Sequence, residues 1–256
     1  MVRMRVKGFE MLRVLLVNPN TSKEMTKVVD KTAQNLLSED IQIKSVNPEM
    51  GPPSIEGFYD EVFSVPGLLQ EVGRHRDWDG FIIACFDDSG LEAARSLVSG
   101  PVVGIGEAAF HTACLIGNKF SVITTLARSI PVIENNLLKY GLNRRCSSIR
   151  ACDVPVLDLE KNIVEVRNKI TKEVLKARDD DGADVIVLGC AGMTDFSRAL
   201  MVEHEIPVVD GIAAAVGLVS SLLKMKLKTS KQNGYICPRS KSYSGIFSQF
   251  SPKVRD

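Results

Sequence analysis

The chain is poor in the features that assign many proteins at once. No apolar run approaches the ~18–20 residues that a membrane helix needs, so no spanning anchor is expected. There are three histidines in 256 residues. His75, His111 and His204 have no motif spacing to a cysteine, and zinc asks for four ligands, or three plus water, so no metal centre is expected. The six cysteines contain no CxxC pair and are too few for a disulfide scaffold. They read as free thiols. Net charge is +1, and the body carries no basic stripe, so nucleic acid is not an expected partner. Residues Met1–Glu10 are basic but lack the apolar stretch of a secretory signal. Residues 1–11 are expected to be a dispensable leader, with Met11 as an alternative start, and a reducing, cytoplasmic home is the default.

What is present is an ordinary globular composition, 45% hydrophobic and 25% charged. Short β-rich runs alternate with amphipathic helical runs. Strands are expected at Leu12–Val17, Ile41–Val46, Phe81–Cys85, Val102–Ile105, Phe120–Thr124, Ser147–Ala151, Val185–Leu188 and Val208–Asp210. Helices are expected at Lys23–Leu37, Ile130–Tyr140, Asn162–Arg178 and Ile212–Lys224, among others. That alternation predicts an α/β fold with mainly parallel sheets. Runs such as Phe81–Ala84 and Val185–Leu188 are apolar on both faces, as central parallel strands under helices are.

The chain also repeats itself. Asp79 and Asp184 each stand six residues before a cysteine, Cys85 and Cys190. Pro101-Val102-Val103 recurs as Pro207-Val208-Val209, and Leu16-Val17-Asn18 as Val122-Ile123-Thr124, always at an offset of 105–106. Two similar lobes with four-stranded sheets follow, related by a pseudo-twofold, with the site in the cleft between them. The expected division is 12–108 plus 208–227 for one lobe and 109–207 for the other. Residues 228–256, with six basic residues and one acidic, form a basic C-terminal arm. Ligands of parallel sheets bind beyond the carboxyl ends of strands, where both cysteines stand.

Facing thiols suit one chemistry in particular. A thiolate on one side of a carbon acid removes a proton, and a thiol on the other side returns one. That racemises a stereocentre without a cofactor. A helix start after each cysteine is expected to favour the thiolate. Asp87-Asp88-Ser89-Gly90 reads as such a start with capping residues, and Gly192-Met193-Thr194-Asp195 similarly. The carbanion needs donors at the adjacent carbonyl oxygen; loop amides and the strand-end groups Asn18, Asn20, Thr124 and Thr125 are candidates. Cys114, Cys146, Cys152 and Cys237 read as structural. Gly104-Ile105-Gly106-Glu107-Ala108-Ala109 imitates a dinucleotide fingerprint, but no Asp or Glu follows between Ala108 and Ile133, so no nicotinamide is expected. Its glycines read as a tight strand-to-helix turn beside the cleft, with Glu107 as that helix's cap or, alternatively, a ligand contact.

Several of these segments resemble hydantoin racemases of the aspartate/glutamate racemase superfamily. They are Val17-Asn18-Pro19-Asn20-Thr21-Ser22, Ala84-Cys85-Phe86-Asp87-Asp88-Ser89-Gly90, Pro101–Ala109, Phe120–Thr125 and Val187–Met193. The resemblance implies a cofactor-independent racemase of 5-monosubstituted hydantoins, or of the related ureido-hydantoin allantoin, in which Cys85 and Cys190 are the two bases. It also implies a homo-oligomer. The substrate-binding candidates are Asn18, Asn20, Thr21, Asp87, Thr124, Thr125, Ala191 and Gly192, with Ile55 and Phe86 near the C5 side chain. Two other readings stay open at this point: an aspartate- or glutamate-type amino-acid racemase on the same fold, and a non-catalytic small-molecule sensor. The absence of Arg and Lys from Asn18–Thr21, Cys85–Ser89, Thr124–Thr125 and Cys190–Gly192 weighs against a carboxylate substrate.

Overall fold

The computed structural model describes residues 5–6, 9–159 and 161–252. Apart from a short antiparallel pair, Arg5–Val6 with Phe9–Glu10, its strands form two four-stranded sheets. In the first sheet β1 (Leu12–Val17) lies between β2 (Ile41–Val46) and β3 (Gly80–Ile83), and β4 (Val102–Gly104) forms the far edge. In the second, β5 (Phe120–Thr124) lies between β6 (Cys146–Ala151) and β7 (Val185–Leu188), and β8 (Val208–Asp210) forms the edge. Every pairing in both sheets is parallel. The two orders are the same once strands 105–106 residues apart are equated. The central strands β3, β5 and β7 are buried along their whole length, which is why their sequences are apolar on both faces.

Helices α1 (Lys23–Gln34), α2 (Phe58–Arg74) and α3 (Leu91–Leu97) accompany the first sheet. Helices α5 (Ile130–Lys139), α6 (Ile163–Asp179) and α7 (Ser197–His204) accompany the second. The last helix after each sheet crosses to the other. Helix α4 (Ile105–Ile116) leaves β4 and packs on β7 and β8, while α8 (Gly211–Lys224) leaves β8 and packs on β3 and β4. Helices α4 and α8 also pack on each other. The inner faces of both sheets therefore share one core, from Val14, Leu16 and Ile82 through Phe110 and Ala215 to Val122, Val185 and Val187. Each outer face has its own core, built on Leu15, Phe81 and Ile83 on one side and on Ile123, Ile186 and Leu188 on the other.

This exchange corrects the expected lobe division at one point. Val208–Asp210 pairs with Val185–Leu188 in the second sheet, not the first, and the chain returns to the first lobe only with the helix from Gly211. The start of the basic arm, Thr229–Tyr235, is held by the first lobe. Thr229 Oγ1 donates to the Gly100 carbonyl, Lys231 Nζ to the Arg95 carbonyl, and Tyr235 Oη to Glu92.

Candidate active site

Cys85 follows β3 and Cys190 follows β7, and both line one pocket. The turn after each is built alike. The Cys85 carbonyl accepts from Asp88 N–H, and the Cys190 carbonyl from Met193 N–H, at 3.1 and 3.0 Å. Each thiol also receives the N–H two residues further on, from Asp87 and from Gly192. A backbone donor aimed at sulfur favours the thiolate. The two halves differ in side chains: Ser89 Oγ lies 3.6 Å from Cys85 Sγ, whereas Thr194, its counterpart, donates to Asp210 instead.

The remaining lining is Asn20, Met25, Ile55, Ala84, Phe86, Asp87, Thr125, Ser129, Val156, Gly189 and Ala191. Of the residues singled out from sequence, Asn20, Ile55, Phe86, Asp87, Thr125 and Ala191 thus surround the cysteines. Asn18, Thr21, Thr124 and Gly192 stand behind the wall. Asn18 Nδ2 donates to Asn20 Oδ1, the Ser22 carbonyl and Thr26 Oγ1, and so fixes the N-terminal turn of α1. Thr21 holds Pro52 through its N–H, Thr124 Oγ1 donates to the Gly189 carbonyl, and Gly192 serves through its amide. Met25 reaches the pocket from α1, just after the Val17–Ser22 segment, and belongs with that segment to the resemblance read from sequence, although it was not named as a substrate-binding residue. Ser129 and Val156 carried no signal in the sequence; they come from the turn before α5 and from the segment after β6, and nothing in their own neighbourhood marks them.

The electrostatics reverse the expectation of depressed thiol pKa values. Burial pushes Cys85 well above the ordinary thiol value, and the Asp87 carboxylate adds to the rise. Burial pushes Cys190 up to about 12, and the Gly192 amide offsets only part of that. No strong helix dipole faces Cys85, because α3 begins only at Leu91 and is capped by Gly90 in the left-handed conformation. After Cys190 comes a 3-10 turn, Ala191–Phe196, rather than an α-helix. Among the described residues, no lysine, arginine or histidine lines the pocket. Two partly buried thiols without a cation beside them are weak acids, so the thiolate that does form is a strong base.

Asp88 also departs from its expected role. It sits at φ +52° and caps α4, not the helix that follows it. Its carboxylate accepts from Gly106 N–H and Glu107 N–H at 3.0 and 2.8 Å, and from Tyr140 Oη at 2.8 Å. Glu107 instead pairs with Arg95. The glycines of the fingerprint-like segment make room for this cap: a Cβ on Gly104 would lie 2.0 Å from Asp88 Oδ1, and one on Gly106 2.3 Å from the Phe86 carbonyl oxygen. Asp87, one residue earlier, is buried beside both cysteines. Burial, Glu61 and Asp88 raise its pKa to about 7.

The pattern of the family described as Asp/Glu/Hydantoin racemase matches residues 14–219. The chain belongs to that family. It is 43% identical over 236 residues to a hydantoin racemase from Rhizobium meliloti, covering 91% of this chain and 98% of the relative. The structure of an allantoin racemase from Klebsiella pneumoniae superposes with a TM-score of 0.91 at 38% identity, over 94% of this chain and 100% of the other. A glutamate racemase from Bacillus anthracis shares the fold at 18% identity, with a TM-score of 0.62 over 84% of this chain and 82% of the other.

Proposed function

We propose that this family member is a cofactor-independent racemase of 5-monosubstituted hydantoins, allantoin included, and that Cys85 and Cys190 are its two bases. The observation that carries the reading is the pair of thiols at equivalent strand ends in one pocket that holds no cation and one buried acid. In a hydantoin the C5–H lies between a carbonyl and a ring nitrogen. A cysteine thiolate takes that proton, the S–H bond forms as the C–H bond breaks, and the electron pair moves onto the carbonyl oxygen as an enolate. The opposite thiol then gives its proton to the other face of C5. The sulfurs exchange roles at each turnover, so no external acid or base is consumed.

The pocket lining speaks for a neutral ring. An aspartate or glutamate substrate brings carboxylates, which call for arginine or lysine; here they would meet Asp87. Ile55, Phe86, Val156 and Met25 offer apolar contact to a C5 substituent. A homo-oligomer belongs to this reading. It is supported by Phe58, Tyr59, Val62 and Phe63, large apolar side chains exposed along one stretch of α2. Among the described residues no helix is long and apolar enough to cross a membrane, and the described cysteines are free thiols, which fits a reducing compartment.

A chiral assay tests the substrate class. Single enantiomers of several 5-substituted hydantoins, allantoin, aspartate and glutamate are each incubated with the protein. Loss of optical purity above the buffer blank is expected for hydantoins or allantoin and not for the amino acids. Racemisation confined to the amino acids would overturn the assignment, and specific binding without racemisation of any of them would favour a sensor.

A further inference from the structure

We propose that Asp87, in its protonated form, donates a hydrogen bond to the substrate carbonyl beside C5 and carries the enolate through the reaction. The inference rests on the racemase reading above and deepens it. Three observations support it. Asp87 lines the pocket together with both cysteines and, among the described residues, is the one ionisable group there besides them. It is 7% exposed, and its acidic neighbours are Glu61 on α2 and Asp88 in its own loop, both with pKa values themselves raised by burial, Asp88 to about 7. Its backbone is already engaged, since Asn136 Nδ2 donates to its carbonyl at 2.8 Å, so the carboxyl is presented to the pocket by a fixed main chain.

The charge state follows from the surroundings. Cys85, Cys190, Glu61 and Asp88 face Asp87, and Glu56 adds a further negative charge near Cys190. Lys139 acts on Glu61 and is itself paired with Glu92. An ionised Asp87 would repel the thiolate on either side and the enolate in front of it. A neutral carboxyl does neither and offers an O–H where negative charge develops. The other polar side chains of the lining are the hydroxyls of Thr125 and Ser129 and the amide of Asn20, whose Nδ2 lies 3.1 Å from Met25 Sδ. As Asp87 ionises near pH 7, the gain in thiolate with rising pH is offset by loss of the donor.

The experiment compares wild-type protein, Asp87→Asn and Asp87→Ala between pH 5.5 and 8.5. One readout is kcat/KM for a racemised hydantoin; the other is the rate at which iodoacetamide alkylates Cys85 and Cys190 without substrate. Wild-type kcat/KM is expected to rise with pH and level off above about pH 7. Asp87→Asn, neutral at every pH and still a donor, should keep rising by about tenfold per pH unit. Asp87→Ala should lie about tenfold or more below Asp87→Asn at pH 6. Alkylation at pH 8 should be about fivefold faster in Asp87→Asn than in wild type, because the charge that opposes the thiolate is gone. A break near pH 7 retained in Asp87→Asn, or equal activity of the Asn and Ala variants at pH 6, would overturn the proposal. If wild-type protein racemises no hydantoin, the substrate reading fails instead, and the alkylation profiles still decide the charge state of Asp87.

Discussion

Ser89 separates the surroundings of Cys85 from those of Cys190. It is fully buried, and its hydroxyl lies 3.6 Å from the sulfur, where it stabilises the thiolate. A hydrogen bond of this kind contributes about 1 kcal/mol, or about fivefold in thiolate population. Ser89→Ala is therefore expected to slow alkylation of Cys85 about fivefold at a fixed pH below its pKa, with Cys190 unchanged, as read by mass spectrometry of the labelled peptides. Equal rates at Cys85 in both proteins would show that the hydroxyl does not act on the thiol. The cysteines themselves were legible in sequence because repeat spacing set them apart from the other four. Their acidity was not. The helix-start argument supplies a sign for the local field, but burial, which needs the third dimension, outweighs it. Asn18 and Thr124 misled for a related reason. They are polar groups at strand ends, but their donors are taken up by neighbouring protein groups, Asn20, Ser22 and Thr26 for Asn18 and the Gly189 carbonyl for Thr124.

At the scale of elements, the two halves solve one problem in opposite ways. The N-termini of α4 and α8 must each satisfy free backbone N–H groups. In the second half Asp210, at the end of β8, caps α8 through Ile212 N–H and Ala213 N–H, and Thr194 donates to it from the cysteine loop. In the first half the carboxylate comes from the cysteine loop, as Asp88, and the strand end is Gly104. Positions 104 and 210 are equivalents in the repeat, and Asp88 stands one residue before the equivalent of Thr194, so the capping acid comes from the cysteine loop in one half and from the strand end in the other. Gly104→Ala puts a methyl where Asp88 Oδ1 lies. A loss of about 2–3 kcal/mol is expected, seen as a lower urea midpoint at unchanged m value. An unchanged midpoint would mean that the loop gives way without cost. Strand ranges were readable almost to the residue from apolar runs and flanking turns. The cap of α4 was not, because its donor and acceptor stand 18 residues apart.

Across the whole molecule, the crossing of α4 and α8 joins the sheets through one core, so the strand ends that carry the cysteines are set by a shared interior. One contact spans the mouth of the pocket. Glu56 Oε1, next to Ile55, accepts from Val156 N–H at 3.0 Å, and Ile55 and Val156 both line the pocket. Removing it in Glu56→Ala is expected to raise KM about tenfold while kcat moves much less, since hydrogen bonds to charged groups contribute about 1.5–3 kcal/mol. An unchanged KM would show that the mouth is held by other means. Sequence periodicity revealed two lobes and their common plan, but not that β8 stays with the second sheet. Strand pairing is a long-range property, and Val208–Asp210 has the same apolar pattern whichever edge it joins.

The central claim is that C5 is deprotonated by one of these thiols and reprotonated by the other. The direct measurement is deuterium incorporation at C5 in deuterated water, starting from each pure enantiomer of a hydantoin, with wild-type protein, Cys85→Ser and Cys190→Ser. In wild type, the inverted product should carry deuterium from the first turnover in both directions. Each serine variant should lose racemisation, a hydroxyl being a far poorer base than a thiolate, while retaining at most exchange of one enantiomer, opposite for the two variants. Racemisation near the wild-type rate in either variant, or inversion without deuterium at C5, would contradict it.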